Sequence, residues 1–146
     1  MFSKACEYAI KASIYIARQS LQQKRVNVKE VSQSIDAPVA FTAKILQVLC
    51  RENILQSVRG QQGGFVFDKT KQKEITIFHL VRIFDGDGLF TQCGLGLQKC
   101  SAENPCPVHD DFKVVREKLL EMTQKHSLYD LGLKTELLTN GTLWTD

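Results

Sequence analysis

At 146 residues, 43% hydrophobic and with a net charge of +3, the chain is sized for one domain, or one small domain plus an extension, with enough apolar content for a core. No run reaches the roughly eighteen apolar residues that a membrane helix needs, and lysines interrupt the apolar pattern of the opening MFSKACEYAIKASIYIA, which excludes a signal peptide. A cytoplasmic protein is therefore expected, and in a reducing compartment five cysteines point to metal or redox chemistry before structural disulfides. The charge is uneven: residues 1–60 carry nine Lys/Arg against four Asp/Glu, and residues 61–146 carry ten against twelve. A basic first half beside a slightly acidic remainder suits a nucleic-acid reader joined to a sensing or assembly part.

Residues 3–22 read as an amphipathic helix capped by Ser3, with Ala5, Ala9, Ala12, Ile16 and Ala17 on one face and Lys4, Glu7, Lys11, Arg18 and Gln22 on the solvated side. Cys6 and Glu7 read as a small buried thiol and a surface carboxylate, with metal ligation from this element as the alternative. Asn27 caps a short helix, Val28 to Ile35, which puts Val28, Val31 and Ile35 inward. Asp36-Ala37-Pro38 breaks it, because a residue before proline disfavours helix. A further helix runs from about Val39 to Glu52, with Phe41, Ile45, Val48 and Leu49 apolar and Ala40, Thr42, Ala43, Lys44 and Gln47 facing out. Two short helices joined by a turn form a helix-turn-helix pattern, and that small, polar outer face suits a major groove.

Next, Ile54 to Val58 alternates as a strand, Arg59-Gly60-Gln61-Gln62-Gly63-Gly64 turns, and Phe65 to Phe67 returns. A glycine-rich hairpin directly after a helix-turn-helix is a wing. Its glycines permit close approach to a phosphate backbone, and Arg59 at its base suits a narrow minor groove.

Residues 1–68, above all Ser57-Val58-Arg59-Gly60-x-x-Gly63-Gly64-Phe65, resemble the IscR/NsrR/CymR family of bacterial winged-helix repressors. The opening Glu7-Tyr8-Ala9 fits that family's first helix, and the similarity continues to about residue 131. The resemblance implies a homodimer on a double-stranded DNA operator with an imperfect palindrome, recognition helices in major grooves and wings in minor grooves. The DNA-reading residues would be Lys4, Ala40, Thr42, Ala43, Lys44, Gln47, Arg59 and Gln61. The family often places a glutamate where this chain has Ala43, so a different operator preference is expected.

Thr76 caps a helix to about Phe84, and Asp85-Gly86-Asp87-Gly88 ends it. The stretch Cys93 to His109, CGLGLQKCSAENPCPVH, follows. Its three cysteines are separated by six and then five residues, and His109 stands at Cys-x-x-His spacing from Cys106. Gly94, Gly96, Pro105 and Pro107 make it neither helix nor strand. Soft ligands converging on such a loop suggest a metal or iron–sulfur site; idle thiols, or one disulfide pair and a spare, are the alternatives. A long helix from about Pro107 to Lys125 then repeats Phe112, Val115, Leu119 and Met122 at coiled-coil-like spacing, a seam for a second copy. Ser127 caps a last short turn with Leu128 and Leu131, and the remaining tail is uninformative.

Members of the resembled family divide by this loop, and the IscR-like and NsrR-like ones bind an iron–sulfur cluster. The resemblance implies Cys93, Cys100, Cys106 and His109 as ligands of a [2Fe-2S] cluster, with a [4Fe-4S] cluster using Glu7 instead of His109 as the alternative. His79 and His126 read as structural or exposed. The expected protein is mainly α with a small β-hairpin wing. A winged helix-turn-helix spans 1–84, a cysteine loop 85–109, a dimerisation helix and short turn 110–131, and a tail 132–146. The expected function is a non-enzymatic regulator of transcription, with a zinc-binding or cysteine-redox regulator of the same fold as the alternative. A thiol oxidoreductase is disfavoured, since no Cys-x-x-Cys motif is present.

Overall fold

Ser3 opens α1 (Lys4–Leu21), and its hydroxyl accepts a hydrogen bond from the Cys6 amide at 3.1 Å. In this computed structural model, which describes residues 1–139, α1 is the central helix: α2 (Val28–Ile35), α3 (Val39–Arg51), α5 (Ile77–Phe84) and α8 (Leu128–Thr139) all pack on it. Ala9, Ala12, Ile16 and Ala17 of α1 meet Val31 and Ile35 of α2, Ile45, Leu46 and Leu49 of α3, Leu80 of α5 and Leu128 of α8 in one buried core. Each large side chain buried there contributes about 1.5–3 kcal/mol. The alanines let the neighbouring helices come close.

Asn27 starts α2 with a full capping box: Glu30 N–H donates to Asn27 Oδ1 at 3.0 Å, and the Asn27 amide donates to Glu30 Oε2 at 2.7 Å. Asp36 ends the helix in the left-handed conformation, and α3 begins after Pro38. The wing is a two-stranded antiparallel hairpin, β1 (Gln56–Val58) and β2 (Gly64–Val66), in the register Gln56↔Val66, Ser57↔Phe65 and Val58↔Gly64. Val26 adds a single rung on the far side of β2: Phe65 N–H donates to Val26 O at 2.7 Å, and Val26 N–H to Phe65 O at 3.2 Å. The mainly helical chain with a wing is thus the fold the sequence implies.

Six details differ from expectation. Thr42 is not on the outer face of α3. It is fully buried with Ile45, Leu46 and Leu49 at i, i+3, i+4 and i+7, and its hydroxyl is satisfied by Pro38 O at 3.0 Å. Arg18 is 7% exposed rather than solvated, because α8 covers that side of α1. The expected terminal turn and the start of the tail form α8 through Thr139; residues 140–146 lie outside the described residues. Ile54 and Leu55 are buried ahead of β1 instead of opening it. Two short helices, α4 (Lys69–Glu74) and α6 (Gly88–Thr91), occupy segments with no helical pattern, and α7 (His109–Lys125) starts two residues after Pro107.

Acidic caps at α4 and α8 give folding a pH dependence. Asp68 accepts from the Thr70 and Lys71 amides, chiefly Thr70, and Asp130 accepts from the Ser127 hydroxyl and amide. Both carboxyls are held below the ordinary 3.8, Asp68 by those amides and Asp130 by Ser127. A depressed folded value means that the stabilisation is complete above the unfolded value and is lost as pH falls through the folded one. Thermal unfolding followed downward from just above pH 3.8 is expected to fall less steeply in Asp68→Asn and Asp130→Asn, which keep a capping oxygen without the charge.

Candidate functional site

The residues 93–106 loop folds through backbone turns. Gly96 N–H donates to Cys93 O at 2.9 Å, Cys100 N–H to Leu97 O at 3.3 Å, and Ser101 and Asn104 exchange both amide bonds at 3.2 Å. These turns bring Cys93, Cys100 and Cys106 together, with all three sulfurs within 4.8 Å of one another. Cys93 Sγ lies 3.7 Å from Cys106 Sγ, the Cys106 amide donates to Cys100 Sγ at 3.4 Å, and His109 Nδ1 lies 3.2 Å from Cys100 Sγ. His109 therefore adjoins the thiol group through Cys100, as the first residue of α7.

The loop's own amides hold charge on one sulfur. N–H groups of Leu97 and then Leu95 point at Cys93 and pull its thiol down to about 7. At Cys106 the Val108 amide also pulls downward, but burial and the neighbouring Cys100 and Cys93 outweigh it, so that thiol titrates above its ordinary range. Near neutral pH Cys93 is therefore partly thiolate, the form that binds a soft cation. Three thiolates and an imidazole fit a thiolate-bound cluster or a zinc ion.

One face of α7 seats the loop. The Phe112 ring lies so close to Gly94 that a Cβ there would sit 2.4 Å from it, and Arg116 Nη1 donates to Gln92 O at 3.1 Å. His109, Phe112 and Arg116 follow at i, i+3 and i+7. By spacing alone Phe112 belongs to the seam and Arg116 goes unmarked; the helical interval from His109 was the available signal for both. The adjoining face of α7 exposes Val115 at 59% and Met122 at 43%, with Leu119 half-buried between them and Val114 at 57% beside them.

Glu7 stands apart from the thiol group. Its carboxylate pairs with Lys4 Nζ at 3.0 Å, and Lys4 holds it below the usual glutamate range. Cys6 is fully buried, and burial followed by the charge of Asp85 pushes its thiol up to about 12. It is the small buried thiol expected. Asp85 also accepts from the Ser3 amide at 2.9 Å and from the Ser3 hydroxyl, so the residue that ends α5 is tied to the start of α1. His79 is a structural residue, its Nδ1 accepting from the Thr76 amide at 3.1 Å.

On the reading side, Ala40, Lys44 and Gln47 are exposed along α3 and Ala43 is half-exposed. Arg59 and Gln61 are exposed at the wing turn, while Thr42 is withdrawn into the core. Tyr8 of α1 meets Phe41 edge-on at 5.5 Å and braces the start of α3.

Comparison with known proteins agrees with this architecture. The chain is 30% identical over 133 residues to an HTH-type transcriptional regulator of Aquifex aeolicus, covering 90% of each chain. Its fold matches the global cysteine regulator CymR of B. subtilis with a TM-score of 0.76, at 18% identity over 92% of this chain and 98% of that one. It matches T. potens IscR with a TM-score of 0.71, at 16% identity over 99% of this chain and 93% of that one. No helix among the described residues is long and apolar enough to cross a membrane. The family model described as "Rrf2: Iron-dependent Transcriptional regulator" matches residues 2–133, and the chain belongs to the Rrf2 family of winged-helix transcriptional regulators.

Proposed function

We propose that this chain is a dimeric, DNA-binding repressor that responds to redox state, nitric oxide or iron–sulfur supply through a labile iron–sulfur cluster. The observation that carries this reading is the convergence of three thiols within 4.8 Å on a loop seated against α7. Cys93, Cys100, Cys106 and His109 are the ligand set. The engagement of Glu7 by Lys4 at 3.0 Å favours His109 over Glu7, and the mixed cysteine–histidine donors favour [2Fe-2S] over [4Fe-4S]. When bound, the cluster supplies a centre sensitive to oxygen, nitric oxide and iron shortage.

The chain's own residues couple that centre to DNA. The Leu97 and Leu95 amides favour the Cys93 thiolate; Phe112 and Arg116 hold the loop on α7; and the Asp85–Ser3 bonds tie the end of α5 to the start of α1. A loop ordered on α7 biases the spacing of two winged helix-turn-helix halves across a dimer, a coupling of about 1–3 kcal/mol being enough for a switch. Ala40, Ala43, Lys44 and Gln47 face the major groove, Arg59 and Gln61 reach the minor groove, and Lys4 lies near the backbone.

Anaerobic purification, with a visible absorption spectrum and iron and sulfide counts, tests the cluster. Broad absorbance with bound iron and sulfide is expected, with near-complete loss of all three in Cys106→Ala. His109→Ala is expected to lower occupancy and move the spectrum. Colourless protein that takes up no iron on reconstitution would replace the cluster with zinc or with cysteine-only redox sensing, leaving DNA binding to be tested by itself.

A further inference from the structure

A cleft of about 600 Å³ lies between the end of α1, the residues leading into α2, and the wing turn. Polar side chains line most of it, among them Gln19, Lys24, Arg25, Gln61 and Gln62. Lys24 and Arg25 are exposed and bring two positive charges to it. Its acid, Glu30, has its Oε2 committed to the Asn27 amide at 2.7 Å. The capping box likewise occupies the Asn27 and Glu30 amides at the start of α2, so the full positive charges available to an anion here are those of Lys24 and Arg25.

These two residues are fixed relative to the wing. They immediately precede Val26, whose two backbone bonds to Phe65 extend the hairpin, and Arg25 Nη1 reaches Gln62 O at 3.4 Å. The cleft therefore shares Gln61 and Gln62 with the turn that carries Arg59. A backbone passing that turn would lie within reach of a second basic pair on the same rigid unit. Arginine, lysine and glutamine side chains are common partners of phosphate oxygens, which position a protein on DNA without reading its sequence.

We propose that this cleft is a second DNA-backbone site, in which Lys24 and Arg25 take a phosphate flanking the one met by the wing. It rests on the DNA-binding reading above and adds residues and a phosphate partner that reading does not contain. The test is fluorescence anisotropy of the full chain on a mixed-sequence duplex over a series of salt concentrations, because backbone binding acts on any sequence. Lys24→Gln combined with Arg25→Gln is expected to weaken binding alike on all duplexes. The slope of log K against log salt should shrink by about 0.9 for each phosphate no longer neutralised. Arg25→Lys should retain most of the slope, and Arg59→Gln should reduce it from the other side of the wing turn.

A double variant with the wild-type slope overturns the proposal even if affinity falls, since that result assigns the pair to bracing the wing. Unchanged slope and affinity overturn it as well, and both outcomes leave the DNA-binding reading intact. A wild-type protein that binds no duplex in either cluster-loaded or cluster-free form overturns both.

Discussion

Alanine in place of Gly64 is expected to lower folding stability by about 3–5 kcal/mol and to weaken DNA binding at the wing, the first read by urea unfolding and the second by anisotropy. Gly64 has φ +146, a conformation that a side chain disfavours, and an added Cβ would lie 2.6 Å from Val26 O and 2.9 Å from its carbonyl carbon. The obstacle is backbone, which cannot swing aside as a flexible side chain does. Strain at such a position costs about 1–3 kcal/mol, and displacing Val26 from Phe65 forfeits two hydrogen bonds of about 1 kcal/mol each. Gly60 is the internal control: its φ is +110, but nothing lies within 4 Å of an added Cβ, so Gly60→Ala is expected to cost only the strain of about 1–3 kcal/mol. Equal losses in the two variants would show that the approach of Val26 to β2 contributes nothing. The comparison bears on function because the Val26 rung joins the wing, and Arg59 with it, to the helical core.

Much of this architecture is written locally. Ser3 and Asn27 announce the starts of α1 and α2 because capping depends on residues only three positions apart. The wing is legible because Gly60 and Gly63 meet conformational demands within the turn itself. The features that stay hidden in the sequence depend on distant chain. Thr42 reads as surface by its hydroxyl, yet that atom bonds back to Pro38 O one turn earlier, leaving an apolar methyl to join the core. Arg18 reads as solvated until α8 is placed over it. Nothing local marks α8 as a packed helix: Gly132 disfavours helix by composition, but it is buried where an added Cβ would sit 3.2 Å from Arg18 N, and its smallness permits the close crossing. In the thiol loop, residue types point to the chemistry, whereas the pairing of the ligands does not follow from spacing. Cys93 meets Cys106 at 3.7 Å across the whole loop, while Cys100 meets His109 at 3.2 Å, because turns at Gly96 and Asn104 fold the chain back on itself.

Glutamates at both Val115 and Met122 are expected to convert the protein from a dimer to a 16.5 kDa monomer in sedimentation, with operator affinity falling by about a hundredfold or more. Val115 and Met122 are one pair of turns apart on α7 and are exposed at 59% and 43%, a large apolar commitment for a helix otherwise rich in Asp, Glu, Lys and Arg. A two-fold seam sets each stripe against its own copy, so one substitution places two carboxylates in the interface. Lost burial forfeits about 1.5–3 kcal/mol per side chain, and unpaired charge in the seam opposes association further. A monomer reads one half-site, and the gain from linking two reading heads is lost. Val115→Leu, which preserves the apolar surface, should remain dimeric. A wild-type monomer, or a dimeric double-glutamate variant, would remove α7 from the assembly. The opposite outcome has a consequence for signalling: His109, Phe112 and Arg116 hold the thiol loop on one side of the helix whose adjoining face meets the second copy. A change in the loop then needs only to rotate or fray the first turns of α7 to alter how the two halves are held, and the coupling path is a single helix long.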